Sequence, residues 1–266
     1  VYETLAVERK AHLTTLTLNR PDNLNALSRQ MVDELRDFFW GLVDDVDTRV
    51  VLMRGAGRAF CAGLDLKEAS RDTGGGDGGI PASLRAQRHI AEVMMLMRRA
   101  PQPIVAAVRG AASGGGFALA LASDVRIAGE SARMNAAFIR LGLSACDVGV
   151  SYFLPRIVGA SLASELLLTG DFIDAARAER CGLVSRVVPD DQLDQAANEM
   201  AQRMLRNAPL ALRLTKEALK LNVDASSLEH AIAMEDRNQV LTAGTRDFRE
   251  GIRAFLEKRA PAFEDR

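Results

Sequence analysis

Two glycine-bearing turns carry the first chemistry in this chain. They are Ala62-Gly63-Leu64-Asp65, after a strand-like run and a small-residue loop, and Ser113-Gly114-Gly115-Gly116-Phe117, at a strand-to-helix junction. A triple glycine at a helix start leaves amide N–H groups uncovered by side chains, at the positive end of the helix dipole. Two such donors from separate turns could grip a carbonyl oxygen that becomes an enolate, an oxyanion hole. The bland alternative is a flexible turn or tight helix–strand packing, which short glycine runs more often serve. The run has no GK[ST] and the chain no GxGxxG fingerprint, so nucleotide phosphate binding of those kinds is not indicated.

The side chains that could move protons or attack are scattered. Asp65 follows the first turn and is expected to secure it through an Asx-type hydrogen bond. Asp124 precedes a strand and is expected to be structural. His89 lies in a helical segment and has an ordinary pKa suited to catalysis, but a lone helical histidine is usually a surface or packed residue. His12 and His230 have no partners in the sequence. Cys61, Cys146 and Cys181 show neither CxxC spacing nor a histidine cluster, which argues against a disulfide framework or a zinc site. Cys146 lacks an adjacent base and is expected to be a small buried residue.

The 266 residues suit one medium domain with a small C-terminal extension. Net charge is −1 from 34 basic and 35 acidic residues, which gives no electrostatic case for nucleic acid or an anionic membrane. No basic region followed by an apolar run opens the chain, and no apolar stretch reaches the ~20 residues of a membrane span. The expectation is a cytoplasmic protein without nucleic-acid, membrane or metal partners.

The elements that must hold the two turns follow from hydrophobic period. Residues 5–7 and 13–18 read as strands, the second with Leu16 and Leu18 alternating against Thr15 and Thr17. Ser28 is placed to cap a helix carrying Met31, Leu35, Phe38, Phe39 and Leu42. Strands over 49–54, 104–108 and 125–128 alternate with helical segments, which predicts an α/β fold with a mainly parallel sheet. Residues 73–79, rich in glycine, are expected to be a mobile loop, and 84–99 a helix. Within it Val93, Met94, Leu96 and Met97 read as a core face, although flexible methionines could also line an acyl pocket. From about 190 the pattern is purely helical, near 190–206, 209–222, 226–243 and 246–258.

In order along nearly the whole chain, several segments resemble the crotonase (enoyl-CoA hydratase/isomerase) superfamily. They are Asn19-Arg20-Pro21 with Asn25-Ala26-Leu27, Ala59-Phe60-Cys61-Ala62-Gly63-Leu64-Asp65-Leu66, and Pro103 to Gly110 with Gly114-Gly115-Gly116. Ser123 to Ala128, Leu166 to Gly170 and Ala178 to Val184 fit as well. The resemblance implies a spiral of ββα units over residues 1–190 and a C-terminal helical trimerisation region over 191–266, in a trimer or dimer of trimers. It implies coenzyme A bound as a substrate thioester, with no prosthetic group. By motif position the backbone amides of Leu64 and Gly115 would hold the thioester oxygen, with the carrier near Ala26, Ala62 and Leu66. Phe255 and Lys258 resemble the C-terminal elements that reach a neighbouring CoA.

The pattern breaks where hydratases of this family keep two glutamates: Ala118 and Phe138 stand at those positions. Adding water across a double bond needs one group to activate water and another to protonate carbon. Asp147, in Cys146-Asp147-Val148-Gly149, resembles the proton-shuttling aspartate of dienoyl-CoA isomerases. Those enzymes carry further acids at the positions that are Ala118 and Phe138 here. One carboxylate would suffice to take a proton from one carbon and return it to another, and an apolar setting would raise its pKa. Asp147 could equally cap the helix expected to follow, unless Ser144 does so. The readings in order are an enoyl- or dienoyl-CoA isomerase, a hydratase or other thioester enzyme with non-standard residues, and a non-catalytic acyl-CoA binding protein.

Overall fold

The computed structural model describes residues 2–72 and 79–266, so residues 73–78 of the expected mobile loop lie outside the described residues. Six strands form the main sheet: β1 (Leu5–Lys10), β2 (Leu13–Leu18), β3 (Val50–Gly55), β4 (Ile104–Val108), β6 (Val125–Gly129) and β9 (Arg186–Val188). Only β1 and β2 pair antiparallel, and every later pairing in this sheet is parallel. A second, three-stranded sheet joins β5 (Ala111–Ser113), β7 (Arg133–Asn135) and β8 (Ile173–Asp174). These strands are only two or three residues long, too short for a period-two signal, and the sequence did not reveal them.

Alternation along the strands explains the layering. Val51 and Met53 enter one buried cluster, while Val50 and Leu52 enter another on the opposite face. All five residues of β4 are buried, the signature of a parallel strand covered on both sides. The first face is covered by α1 (Arg29–Gly41), α3 (Gly79–Arg99) and α4 (Gly115–Ala122). Ser28 caps α1 as expected, accepting from the Met31 amide. The second face is covered by α8 (Leu193–Leu205) through Leu193, Ala196, Ala197 and Ala201.

The remaining helices are α2 (Leu66–Asp72), α5 (Val150–Val158), α6 (Ala160–Thr169), α7 (Ala175–Arg180), α9 (Pro209–Asn222), α10 (Leu228–Ala243) and α11 (Arg246–Leu256). The four helices read beyond residue 190 are thus present, and α3 begins five residues earlier than its apolar stripe suggested. That first part is exposed and carries no apolar period.

A buried cation fastens α9 to the core. Lys216 donates to the carbonyls of Met97 and Gln102 at 3.3 and 2.8 Å and pairs with Asp124 at 2.9 Å. The Asp124 carboxylate also accepts from the Ile104 amide, so this residue has the structural role expected of it. Burial pulls the Lys216 pKa below its ordinary value, with Asp124 opposing the shift. Arg126, held down to about 10 by burial, donates to the carbonyls of Ala120 and Ser123 and closes the end of α4.

Removing one partner of a buried pair strands the other. Lys216→Met is therefore expected to destabilise the fold by about 3–5 kcal/mol, as for other broken buried pairs. Lys216→Met with Asp124→Asn should recover part of that loss. Denaturant unfolding checks both, and a fully additive double variant would show that the two groups are uncoupled.

Candidate active site

The first glycine turn is fixed by β-bridges rather than by a regular strand. The Leu27 amide donates to the Gly63 carbonyl at 2.7 Å, and the Asp65 amide donates to the Leu27 carbonyl at 3.0 Å. In this parallel bridge the residues flanking Leu64 are bonded, so the Leu64 N–H faces the other way. Cys61 is bridged to Ala112 on its other side. Gly63 makes the turn at φ +96°, where a side chain would also meet the Ser113 carbonyl at 2.7 Å.

Arg20, Asn25 and Asp65 brace this turn. Arg20 donates to the Ala26 carbonyl at 2.6 Å and to the Asp65 carboxylate at 2.9 Å. The other Asp65 oxygen accepts from the Lys67 and Glu68 amides at the start of α2, the structural role expected from its position. Asn25 is fully buried and donates to the Ala56 and Ala59 carbonyls.

The second turn meets the first at the start of α4. The Gly114 amide is spent on the Asn135 carbonyl at 2.9 Å, and Gly115 is the first residue of the helix. Among the described residues, neither the Leu64 nor the Gly115 amide has a hydrogen-bond acceptor. A Cβ on Gly63 would stand 3.6 Å from the Gly115 nitrogen, so the two turns lie side by side. Gly116 sits where any side chain would fall 2.1 Å from the Cys61 carbonyl oxygen, which is why the helix can start so close to the first turn. Leu64 is 42% exposed and Gly115 buried.

Around these donors the walls are apolar. Ala118 and Phe138 are buried, and the Phe138 ring packs beside Gly114, 3.5 Å from where a Cβ would project. Asp147 lies between Ala145 and Val148, which belong to the same buried cluster as Ala118 and Phe138. Its carboxylate does not cap α5: Gly149 occupies the cap position, without a side-chain bond. Ser144 is no cap either, since its hydroxyl accepts from the Cys146 amide. Both donors to Asp147, the Val148 amide at 2.7 Å and the Gln87 side-chain amide from α3, reach Oδ1. Burial pushes the Asp147 pKa above the usual aspartate value, and these two hydrogen bonds hold it back. Oδ2 has no donor among the described residues.

The other candidates fall elsewhere. Ala26 is buried beside the first turn, Ala62 is half-buried and Leu66 exposed at the start of α2. Phe255, on α11, is 82% exposed, and Lys258 follows at φ +54°. His89 pairs with Asp33 and lies near Arg36, which in turn pairs with Glu92, a cluster joining α1 to α3. Cys146 is exposed, contrary to expectation, because the loop before α5 turns outward at that residue while Ala145 and Val148 turn in. Cys61 is buried, with its thiol pushed up to about 12 by burial. Gln87 gave no sign of itself in sequence, being one polar residue on an exposed stretch of helix. Among the described residues no group of three His, Cys, Asp or Glu side chains is placed to hold a metal ion, and no helix is long and apolar enough to cross a membrane.

The structure is thus a two-sheet α/β core in which two glycine turns lie side by side, each with an amide that has no acceptor among the described residues. Its family follows from comparison with known proteins. Residues 8–266 match the model of the enoyl-CoA hydratase/isomerase family. The chain is 40% identical over 266 residues to "Probable enoyl-CoA hydratase EchA12" of Mycobacterium tuberculosis, covering 96% of this chain and 90% of that protein. It is 35% identical to the 1,2-epoxyphenylacetyl-CoA isomerase of Escherichia coli, covering 94% of each. The crystal structure of an enoyl-CoA hydratase from Bacillus anthracis superposes with a TM-score of 0.93 at 35% identity, covering 99% of this chain and 100% of that one. The chain belongs to the enoyl-CoA hydratase/isomerase family and has the crotonase fold. It is thus an acyl-CoA enzyme by family, and the family uses CoA thioesters without a prosthetic group.

The close approach at Gly116 yields a test. Gly116→Ala should force α4 away from Cys61 and destabilise the fold by about 1–3 kcal/mol, the usual range for overpacking. Acyl-CoA affinity should fall with it. Calorimetry on the variant reads both, and unchanged melting and affinity would refute the packing argument.

Proposed function

We propose that this protein is an enoyl- or dienoyl-CoA isomerase that works with one carboxylate. The observation that carries this reading is the asymmetry at Asp147. Val148 and Gln87 both donate to Oδ1, and Oδ2 is left without a donor among the described residues, between the buried neighbours Ala145 and Val148. The thioester oxygen would lie between the Leu64 and Gly115 amides. Asp147 Oδ2 takes a proton from the α- or γ-carbon, and the C–H electron pair moves into an enolate whose charge rests on the thioester oxygen. The protonated Asp147, after exchange of its proton with solvent, protonates another carbon of the conjugated system, which completes the double-bond shift and regenerates the carboxylate. No water is activated, so no second acid is needed. The similarity to an isomerase of another CoA thioester supports the reading.

The remaining assignments rest on motif position. Ala26, Ala62 and Leu66 would line the carrier's path, with the Ala26 carbonyl held by Arg20. The assembly role expected of residues 191–266 falls to α9–α11, since α8 is committed to the sheet. Leu228, Val240 and Leu256 leave apolar surface exposed there, as a trimer or dimer of trimers would require. Phe255 and Lys258 would then reach the CoA of a neighbouring subunit.

Incubating 2-enoyl-, 3-enoyl- and dienoyl-CoA thioesters with the protein in heavy water, followed by mass spectrometry, tests the chemistry. Double-bond migration with deuterium uptake should fall about 10²–10⁴-fold in Asp147→Asn, the usual loss of a general base. Water addition retained in that variant would instead mark a hydratase independent of Asp147. Tight binding of every thioester without turnover would mark a binding protein.

The pH profile adds a second check. Asp147 acts as the carboxylate, and its folded pKa is raised, so activity should fall with decreasing pH at a higher value than an ordinary aspartate would give. Gln87→Leu removes a donor to that carboxylate and should move this acid limb to still higher pH. An unmoved limb would dissociate Gln87 from the base.

A further inference from the structure

Beyond Asp147 a cleft of about 570 Å³ opens between α3, the start of α5 and the end of α9. One stripe of α3 joins the two features. Gln87, which donates to Asp147, is followed at helical spacing by Ala91, Met94 or Met95, and Arg98, all lining the cleft. The facing wall begins at Val148 and Gly149, directly after Asp147, and continues one turn on at Tyr152 and Phe153. At 1.5 Å per residue, Gln87 and Arg98 lie about 16 Å apart along the helix, the reach of a medium-length acyl chain. Most of the lining between them is apolar, and Met95 stands half out of the core at 48% exposure. Met94, by contrast, is buried and belongs to the core face as its spacing suggested.

The far end of the cleft is cationic. Arg98 and Lys220 line both this cleft and an adjoining cavity of about 470 Å³. The Arg98 guanidinium comes no nearer to a carboxylate than 3.9 Å, at Asp124, and among the described residues it has no hydrogen-bond acceptor. Among the described residues Lys220 reaches only the Arg98 carbonyl, at 3.4 Å. Closing the end of α3 does not require these two heads, because Lys216 already serves the Met97 and Gln102 carbonyls. Among the described residues Asp224 is the one carboxylate on the cleft wall, and it is engaged by Tyr152 at 2.8 Å and by Arg156 at 3.0 Å. Arg99 lines the cleft as well, and the Arg98 guanidinium stands 5.8 Å from the centroid of the Phe153 ring, so the cation is held at the apolar wall without a close carboxylate. An apolar channel with cations at its end complements a chain with an acid at its end.

We infer that this site takes acyl-CoA thioesters whose acyl chain ends in a carboxylate, with the chain in the α3–α5–α9 cleft and the terminal acid on Arg98 and Lys220. The inference rests on the proposed thioester site, since it places the reacting carbons at Asp147 and the tail beyond it.

Isothermal titration with saturated thioesters, which are not turned over, tests it. Dodecanedioyl-CoA should bind about tenfold more tightly than dodecanoyl-CoA, as a charge-assisted bond at a partly desolvated site would give. Arg98→Leu and, separately, Lys220→Met should shrink that ratio toward one, while acetyl-CoA affinity stays at the wild-type value. Lys220→Met serves as the independent variant should Arg98→Leu disturb the seam with α9. Equal affinity for the two thioesters in the wild type, or a ratio unmoved by both substitutions, would overturn the inference. Failure of all three thioesters to bind would overturn it together with the proposed site. Diacid preference without any double-bond migration would overturn only the isomerase reading.

Discussion

Two β-bridges, each a single residue long, set the geometry on which the rest of the site depends. Leu27 holds Gly63 and Asp65, and Ala111 and Ser113 hold Cys61, so the short segment between them is gripped from both sides. A parallel bridge bonds only alternate amide faces, and this turns the Leu64 N–H away from Leu27. Buried backbone donors are costly to leave unmet, so such an arrangement persists only where neighbouring groups over-determine it. Arg20, Asn25 and Asp65 supply that determination through six side-chain hydrogen bonds to backbone and one ion pair. Gly116 completes it by letting α4 begin against the Cys61 carbonyl.

The surroundings of the second turn are apolar. Buried Ala118 and Phe138 lower the local polarity beside Gly114. That change raises the cost of charge on whatever acid remains. At Asp147, burial and hydrogen bonding oppose each other, with burial the larger effect. Because both donors meet one oxygen, the carboxylate is held in orientation while its second oxygen keeps its basicity.

Long-range polar contacts place the helices around this centre. Lys216 carries α9 onto the ends of α3 and β4, and Arg126 closes α4 from the strand beside it. On the other side, Arg36 with Glu92 and Asp33 with His89 join α1 to α3, close in sequence to Gln87. The orientation of Asp147 therefore depends on a helix that is itself held from two directions.

Local pattern made much of this legible. The strands at 13–18 and 104–108, the Ser28 cap and the C-terminal helices follow from side-chain period and capping chemistry, which act within a few residues. The ordered motifs carried the family, and the losses at Ala118 and Phe138 are visible in the chain itself. Helix-capping preference suggested a role for Asp147 that the structure gives to Gly149, since capping depends on where the backbone turns. Cys146 faces out for the same reason. Contacts between distant segments were beyond sequence reasoning: Gln87 lies 60 residues before Asp147, and Lys216 lies 114 residues after Gln102. The sequence alone determined which groups the chain owns and which local elements it forms. Only the tertiary structure decided which oxygen of Asp147 is held, which turns lie side by side and where the cationic end of the cleft lies. Those relations depend on the packing of residues that no local period connects.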